Sequence, residues 1–198
     1  MAEGLLPRDE RELRQLVEQI APLLCPRTVE IMNDYVETAI EEQHAGTLWL
    51  HEHDDWNDQH SYRYGKPSVY GTVAEFLCQG KIETGRLGIW SFAHGYKEQV
   101  LEHIDGWISS PAGTFTVSVK HTYNNTTLGG YRLGDNYFPT DSKADILMIA
   151  DLDTLNVYMF DYEAIKSYFR QHAVEGRDNS YCYRPMDDML TCTKGKIL

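Results

Sequence analysis

The sequence predicts a mixed α/β (α+β) protein on three observations. Apolar residues recur at helical spacing through the first 45 residues, TFTVSVK at 114–120 alternates without a break, and two short apolar runs, ADILMIA and NVYMF, precede a further helical stretch. At 198 residues the chain suits one well-buried core better than two, so a single domain over 1–198 is expected. With 42% hydrophobic and 24% charged residues it has the composition of a folded globular chain. No apolar run approaches the roughly 18 residues that cross a bilayer, and the opening MAEGLLPRDE lacks a basic-then-apolar signal pattern. No membrane association and a cytoplasmic location are therefore expected.

Residues 8–24 carry Leu13, Leu16, Val17, Ile20, Leu23 and Leu24 on one helical stripe, which Pro26 breaks. Thr28, Val29, Met32, Val36, Ala39 and Ile40 form a second stripe closing near residues 44–46, so 1–45 reads as a helical hairpin used for packing or dimerisation. Residues 48–67 mix aromatics, acids and His51, His53 and His60 without periodicity, which suggests a strand and then a long loop. Ser68 can cap a helix through Tyr70, Val73, Ala74, Phe76, Leu77 and Cys78, ended by Gly80 and carrying Glu75 in its middle. After a glycine-containing segment, 96–104 is expected to be helical, and Asp105-Gly106 marks a turn into a strand at Trp107 and Ile108. In TFTVSVK, Phe115, Val117 and Val119 share one face while Thr116, Ser118 and Lys120 share the other. A polar loop over 121–143 follows, then strand 144–150, a turn at 151–155, strand 156–160 and a helix over 161–172. Beyond Gly176 the sequence is a polar tail. Cys25, Cys78, Cys182 and Cys192 are scattered without a CxxC, which fits reduced thiols better than disulfides or a zinc site.

Metal-assisted phosphodiester cleavage needs carboxylates for a divalent ion, a group that orients water and a positive charge near the phosphate. Asp105 enters one strand and Lys120 lies near the end of the next, so a hairpin between the two strands would bring them together. Glu75 is a candidate second carboxylate, although a helix glutamate is more often solvated. A zinc site built from His51, His53 and His60 is a weaker alternative.

Four places together resemble the PD-(D/E)XK nuclease superfamily. Gly71-Thr-Val-Ala-Glu75 resembles its helical GxxxE, His103-Ile-Asp105-Gly its acidic half-motif, Ser118-Val-Lys120 its (D/E)xK, and ADILMIADLDTLNVYMFD the strand pair that follows. The resemblance covers residues 68–170 and implies a mixed central sheet flanked by helices, the restriction-endonuclease-like core. It further implies Asp105 as metal ligand, Glu75 as supporting acid, Lys120 orienting water or steadying the phosphate, and Mg²⁺, or Mn²⁺ in its place, as cofactor. Ser118 departs from the pattern, because it stands where the family has a carboxylate and a hydroxyl is a poor Mg²⁺ ligand. Glu75 or Glu83 would then have to compensate. VKHTYNNTTLGGY at 119–131 is similar to type II restriction enzymes just after their catalytic lysine.

The resemblance implies a homodimeric, sequence-specific endonuclease acting on double-stranded DNA. Arg63, Lys66, Asn124, Asn125, Thr126, Arg132 and Asn136 are candidate DNA contacts, with Tyr62 and Tyr64 beside them. Against this stands the net charge of −12, unusual for a protein that grips phosphates. Ten of the thirty acids fall within the helical hairpin, which leaves the remainder closer to balance. The alternative that uses this charge is a non-catalytic acidic module, or a decayed nuclease scaffold, that blocks a basic protein partner.

Overall fold

The computed structural model describes residues 7–45, 66–93, 102–122, 130–133, 142–172 and 182–198. Helix α1 (Pro7–Ile20) runs through a 3-10 turn (Ala21–Leu23) into α2 (Pro26–Ala45). Pro26 opens α2 at a position where no intrahelical N–H is needed, and the Cys25 carbonyl accepts the Val29 N–H at 3.0 Å. The apolar stripes of both helices turn inward: Leu13, Leu16, Val17, Ile20, Met32, Val36, Ala39 and Ile40 are buried in one core with the next helix, each of them but Ala39 contributing about 1.5–3 kcal/mol. The stripes expected to serve packing or dimerisation thus serve internal packing. Arg14 clamps the pair from outside with a bidentate bridge to Glu37 at 2.8 and 2.9 Å.

Helix α3 (Lys66–Thr84) starts before Ser68 and continues past Gly80, where the sequence suggested an end. Gly80 lies inside the helix because a Cβ there would sit 2.7 Å from Leu23 Cβ: the glycine permits a close crossing instead of a stop. The glycine-containing segment after it holds a strand, β1 (Ile89–Phe92), that short spacing had hidden. Of the helix expected over 96–104, residues 96–101 lie outside the described residues, and Glu102, His103 and Ile104 are not helical.

β2 (Gly106–Ser110) and β3 (Gly113–Thr122) form a tight antiparallel hairpin, with Ser110 opposite Gly113 and Gly106 opposite Val117. The expected loop after β3 contains a short strand, β4 (Gly130–Leu133). β5 (Ile146–Asp151) lies parallel to β3, and β6 (Asn156–Asp161) returns antiparallel to β5. Asp151 Oδ1 accepts the amides of Asp153 and Thr154 at 3.0 and 3.2 Å, which makes the turn between them. Asp161 caps α4 (Tyr162–His172), its Oδ1 accepting the Ala164 N–H at 2.8 Å.

The tail is structured in its described part. β7 (Cys182–Pro185) pairs with β4, α5 (Met186–Thr193) follows, and β8 (Lys196–Ile197) joins the edge of β6. Its polar residues concealed Met186 and Met189, two buried anchors against α4. The result is a mixed six-stranded sheet in the order β1-β2-β3-β5-β6-β8 beside a separate β4–β7 ribbon. Helix α3 covers one face, with α1 and α2 packed on it, through a core that includes Val117, Val119, Met148 and Ala150. On the other face α4 and α5 pack against Leu147, Ile149 and Phe160. At its centre, residues 117–119, β3 is consequently buried on both sides, and Ser118, on the face read as polar, is 0% exposed. No described helix is long and apolar enough to cross a membrane.

Candidate active site

The site begins at a glycine. A Cβ on Gly106 would lie 2.6 Å from the Trp90 ring and 2.8 Å from the Ser91 carbonyl, so only glycine lets β1 close on β2 at this point. One residue earlier the backbone turns away. Ala93 N–H still donates to the Asp105 carbonyl at 2.9 Å, and Asp105 N–H to the Val117 carbonyl at 2.8 Å. From there the side chain replaces the missing strand: Asp105 Oδ2 accepts the Val119 N–H at 2.5 Å and the Ser118 hydroxyl at 3.3 Å. β3 runs on through Thr122, and among the described residues its last five, 118–122, pair along the backbone only with β5. The carboxylate therefore sits in a notch where the sheet parts.

The chain leading into the notch is held firmly. His103 adopts a left-handed backbone with φ of 52°, a conformation that persists in a non-glycine residue only where surroundings enforce it. Lys143 N–H donates to the Glu102 carbonyl at 3.1 Å, Lys143 Nζ reaches Glu102 Oε1 at 3.1 Å, and the Ser142 hydroxyl donates to the His103 carbonyl at 3.4 Å. Asp145 holds β3 itself, its Oδ2 accepting the amide and hydroxyl of Thr116, both at 2.8 Å.

Glu75 does not lie on a solvated helix face. Gly71, Glu75, Cys78 and Ile82 share the stripe of α3 turned to the sheet. A Cβ on Gly71 would meet the His121 ring at 4.0 Å, Cys78 and Ile82 are fully buried, and Glu75 is half-buried between them. The Cys78 thiol is pushed well up by burial, and after that by the negative charges of Glu75 and Asp105, so both carboxylates lie within electrostatic reach of one buried sulfur. Glu83 is directed elsewhere: it accepts a bond from Gln79 Nε2 at 3.0 Å, and its charge is felt at Cys25, which starts α2.

Lys120 is half-buried and in register with Ile149, which places it on the α4 side of the sheet, the face shared with Ser118. Among the described residues it makes no ion pair. Asp105 and Ser118 are thus in direct contact, and Lys120 follows two residues on. Glu75 approaches from the opposite face, so among the described residues it and Lys120 could share a ligand only past the part of β3, 118–122, that pairs with β5 alone. Sequence reasoning missed His121, read as the start of a loop. It extends the alternation of Val117 and Val119 onto the α3 face, and burial together with the charge of Lys120 holds its imidazole down at about 4, hence neutral.

Of the candidate DNA contacts, Arg63, Asn124, Asn125, Thr126 and Asn136, with Tyr62 and Tyr64, lie outside the described residues, as do His51, His53 and His60. Lys66 is the first residue of α3, and Arg132 stands in β4 opposite Tyr183. Among the described residues no three His, Cys, Asp or Glu side chains converge as a metal-binding group. No family model, curated protein or solved structure matches the chain.

Proposed function

We propose that this chain is a Mg²⁺-dependent endonuclease that hydrolyses phosphodiester bonds of double-stranded DNA, cutting at a specific sequence as a homodimer. The observation that carries the reading is the notch: Asp105 held by two β3 donors, with Lys120 next along that strand; Glu75 joins it as a candidate because it acts, as Asp105 does, on the buried Cys78. Asp105 Oδ1 accepts no hydrogen bond among the described residues, which leaves it available as a ligand. The donors this reading assigns are the hard carboxylate oxygens of Asp105 and Glu75. That set suits Mg²⁺, which is commonly held by one or two carboxylates with water and substrate phosphate completing the shell. When bound, the ion would supply Lewis-acid polarisation of a phosphoryl oxygen and a more acidic water.

In this reading Asp105 and Glu75 would hold the ion, and Lys120 would bring its ammonium to the scissile phosphate or orient the attacking water. Glu75→Gln should then raise the Mg²⁺ concentration needed for half-maximal cleavage by about tenfold, since a ligand carboxylate loses its charge. An unchanged Mg²⁺ requirement would remove Glu75 from the site. The net charge of −12 favours a second reading, a non-catalytic acidic module that occupies a basic protein. It expects metal-independent protein binding, unaffected by Lys120→Ala.

A further inference from the structure

Ser118 occupies the position at which the nuclease reading expects a second carboxylate, yet its surroundings do not resemble a vacated ligand site. Its side chain is fully buried, and its hydroxyl donates to the same Asp105 oxygen that the Val119 amide holds. Two donors from consecutive residues of β3 converge on Oδ2. One hydrogen bond leaves a carboxylate free to rock about the bond to its Cβ, whereas a second donor on the same oxygen limits that motion and fixes where Oδ1 points. Lys120 is the next residue of the strand, so these donors also set the placement of Oδ1 relative to the ammonium.

We infer that Ser118 is a positioning residue for Asp105, and that the site operates with the serine as built instead of with a missing ligand. The inference rests on the nuclease reading for its kinetic consequence only; the holding of Asp105 is a property of the folded chain. An ionised carboxylate at position 118 could not donate and would bring a second negative charge to within hydrogen-bond distance of Asp105 Oδ2 in a buried setting, so it could take the serine's place only by binding a proton or a cation.

The test compares the full chain with Ser118→Ala, Ser118→Thr and Ser118→Asp. Hydrogen exchange at the Val119 amide is followed by NMR, and plasmid cleavage is followed at saturating Mg²⁺. Ser118→Ala should speed Val119 exchange severalfold relative to the rest of β3 and lower kcat by roughly ten- to a hundredfold with KM little changed, as expected for a misplaced reactive group. Ser118→Thr keeps the hydroxyl and should restore most of both properties. Ser118→Asp should be at least as impaired as Ser118→Ala. The inference is overturned by a Ser118→Asp protein as active as wild type or more so, because that is the behaviour of a restored ligand. It is equally overturned by a folded Ser118→Ala protein whose Val119 exchange is unchanged. If the wild-type protein cuts no DNA while the exchange pattern holds, the nuclease reading fails and the positioning of Asp105 stands.

Discussion

Two substitutions at Asp105 separate the structural duty of one carboxylate from the chemical duty proposed for it. Its Oδ2 accepts from the Val119 amide at 2.5 Å and the Ser118 hydroxyl at 3.3 Å, and both donors belong to buried residues. Asp105→Ala removes the acceptor and strands a backbone N–H away from water. An unsatisfied buried donor costs about 1–3 kcal/mol, and bonds to a charged acceptor lie at the upper end, so the loss of unfolding free energy should be about 2–3 kcal/mol. Asp105→Asn can present its amide oxygen to the same two donors and should cost under about 1 kcal/mol. Both remove the negative charge, and cleavage should fall by about a thousandfold or more in each, because a metal-binding carboxylate supplies several kcal/mol of charge stabilisation. Urea unfolding of the three proteins, followed by circular dichroism, measures the first quantity and single-turnover plasmid cleavage the second. A midpoint for Asp105→Ala equal to wild type would refute the notch geometry. Wild-type cleavage by Asp105→Asn would refute its chemical assignment.

Three further outcomes follow from packing and charge. His121 is neutral in the fold and titrates at about 4, against 6.5 when unfolded, so the unfolded chain binds the extra proton between these values. The stability it contributes is complete above pH 6.5 and disappears as pH falls towards 4; wild type should lose up to about 3 kcal/mol more than His121→Gln across that window, and parallel curves would contradict the burial of the ring. Gly80→Ala should destabilise by about 1 kcal/mol, since overpacking against Leu23 outweighs the gain in helix propensity, whereas Gly71→Ala meets only ordinary contact with His121 and should stabilise by up to about 1 kcal/mol. Calorimetric melting of the two variants in opposite directions is the expected sign. The Arg14–Glu37 bridge is half exposed at both ends, so Arg14→Ala should cost no more than about 1 kcal/mol, with the difference shrinking in 1 M salt.

Much of this architecture was legible in the sequence where one physical signal dominated. The stripes of α1 and α2 bury one consistent face, the alternation of β3 separates its two faces, and the apolar runs before α4 belong to strands covered on both sides, so periodicity and run length report them directly. It failed where a residue had a tertiary reason for its presence. Gly80 resembles a helix stop but serves a helix crossing, and Gly106 serves the approach of Trp90, neither of which is local information. β1 spans four residues with one fully buried side chain, too few for a pattern to emerge. Glu75 could not be assigned to a face until His121 was seen against Gly71, because α3 is buried around most of its circumference. Ser118 and Lys120 were correctly grouped on one face of β3, but at Ser118 that face is fully buried, with the hydroxyl on Asp105, which alternation alone does not disclose.

The most direct test incubates the purified chain and its Lys120→Ala variant with unmethylated phage and plasmid DNA, in Mg²⁺ and in EDTA. Lys120 has no ion pair among the described residues, so the variant should keep its stability to within about 1 kcal/mol and report on chemistry alone. Discrete fragments produced by the wild type in Mg²⁺, absent in EDTA and absent with Lys120→Ala, are the predicted result. Intact DNA with the wild type in both Mg²⁺ and Mn²⁺, or identical fragments from the variant, would contradict the account.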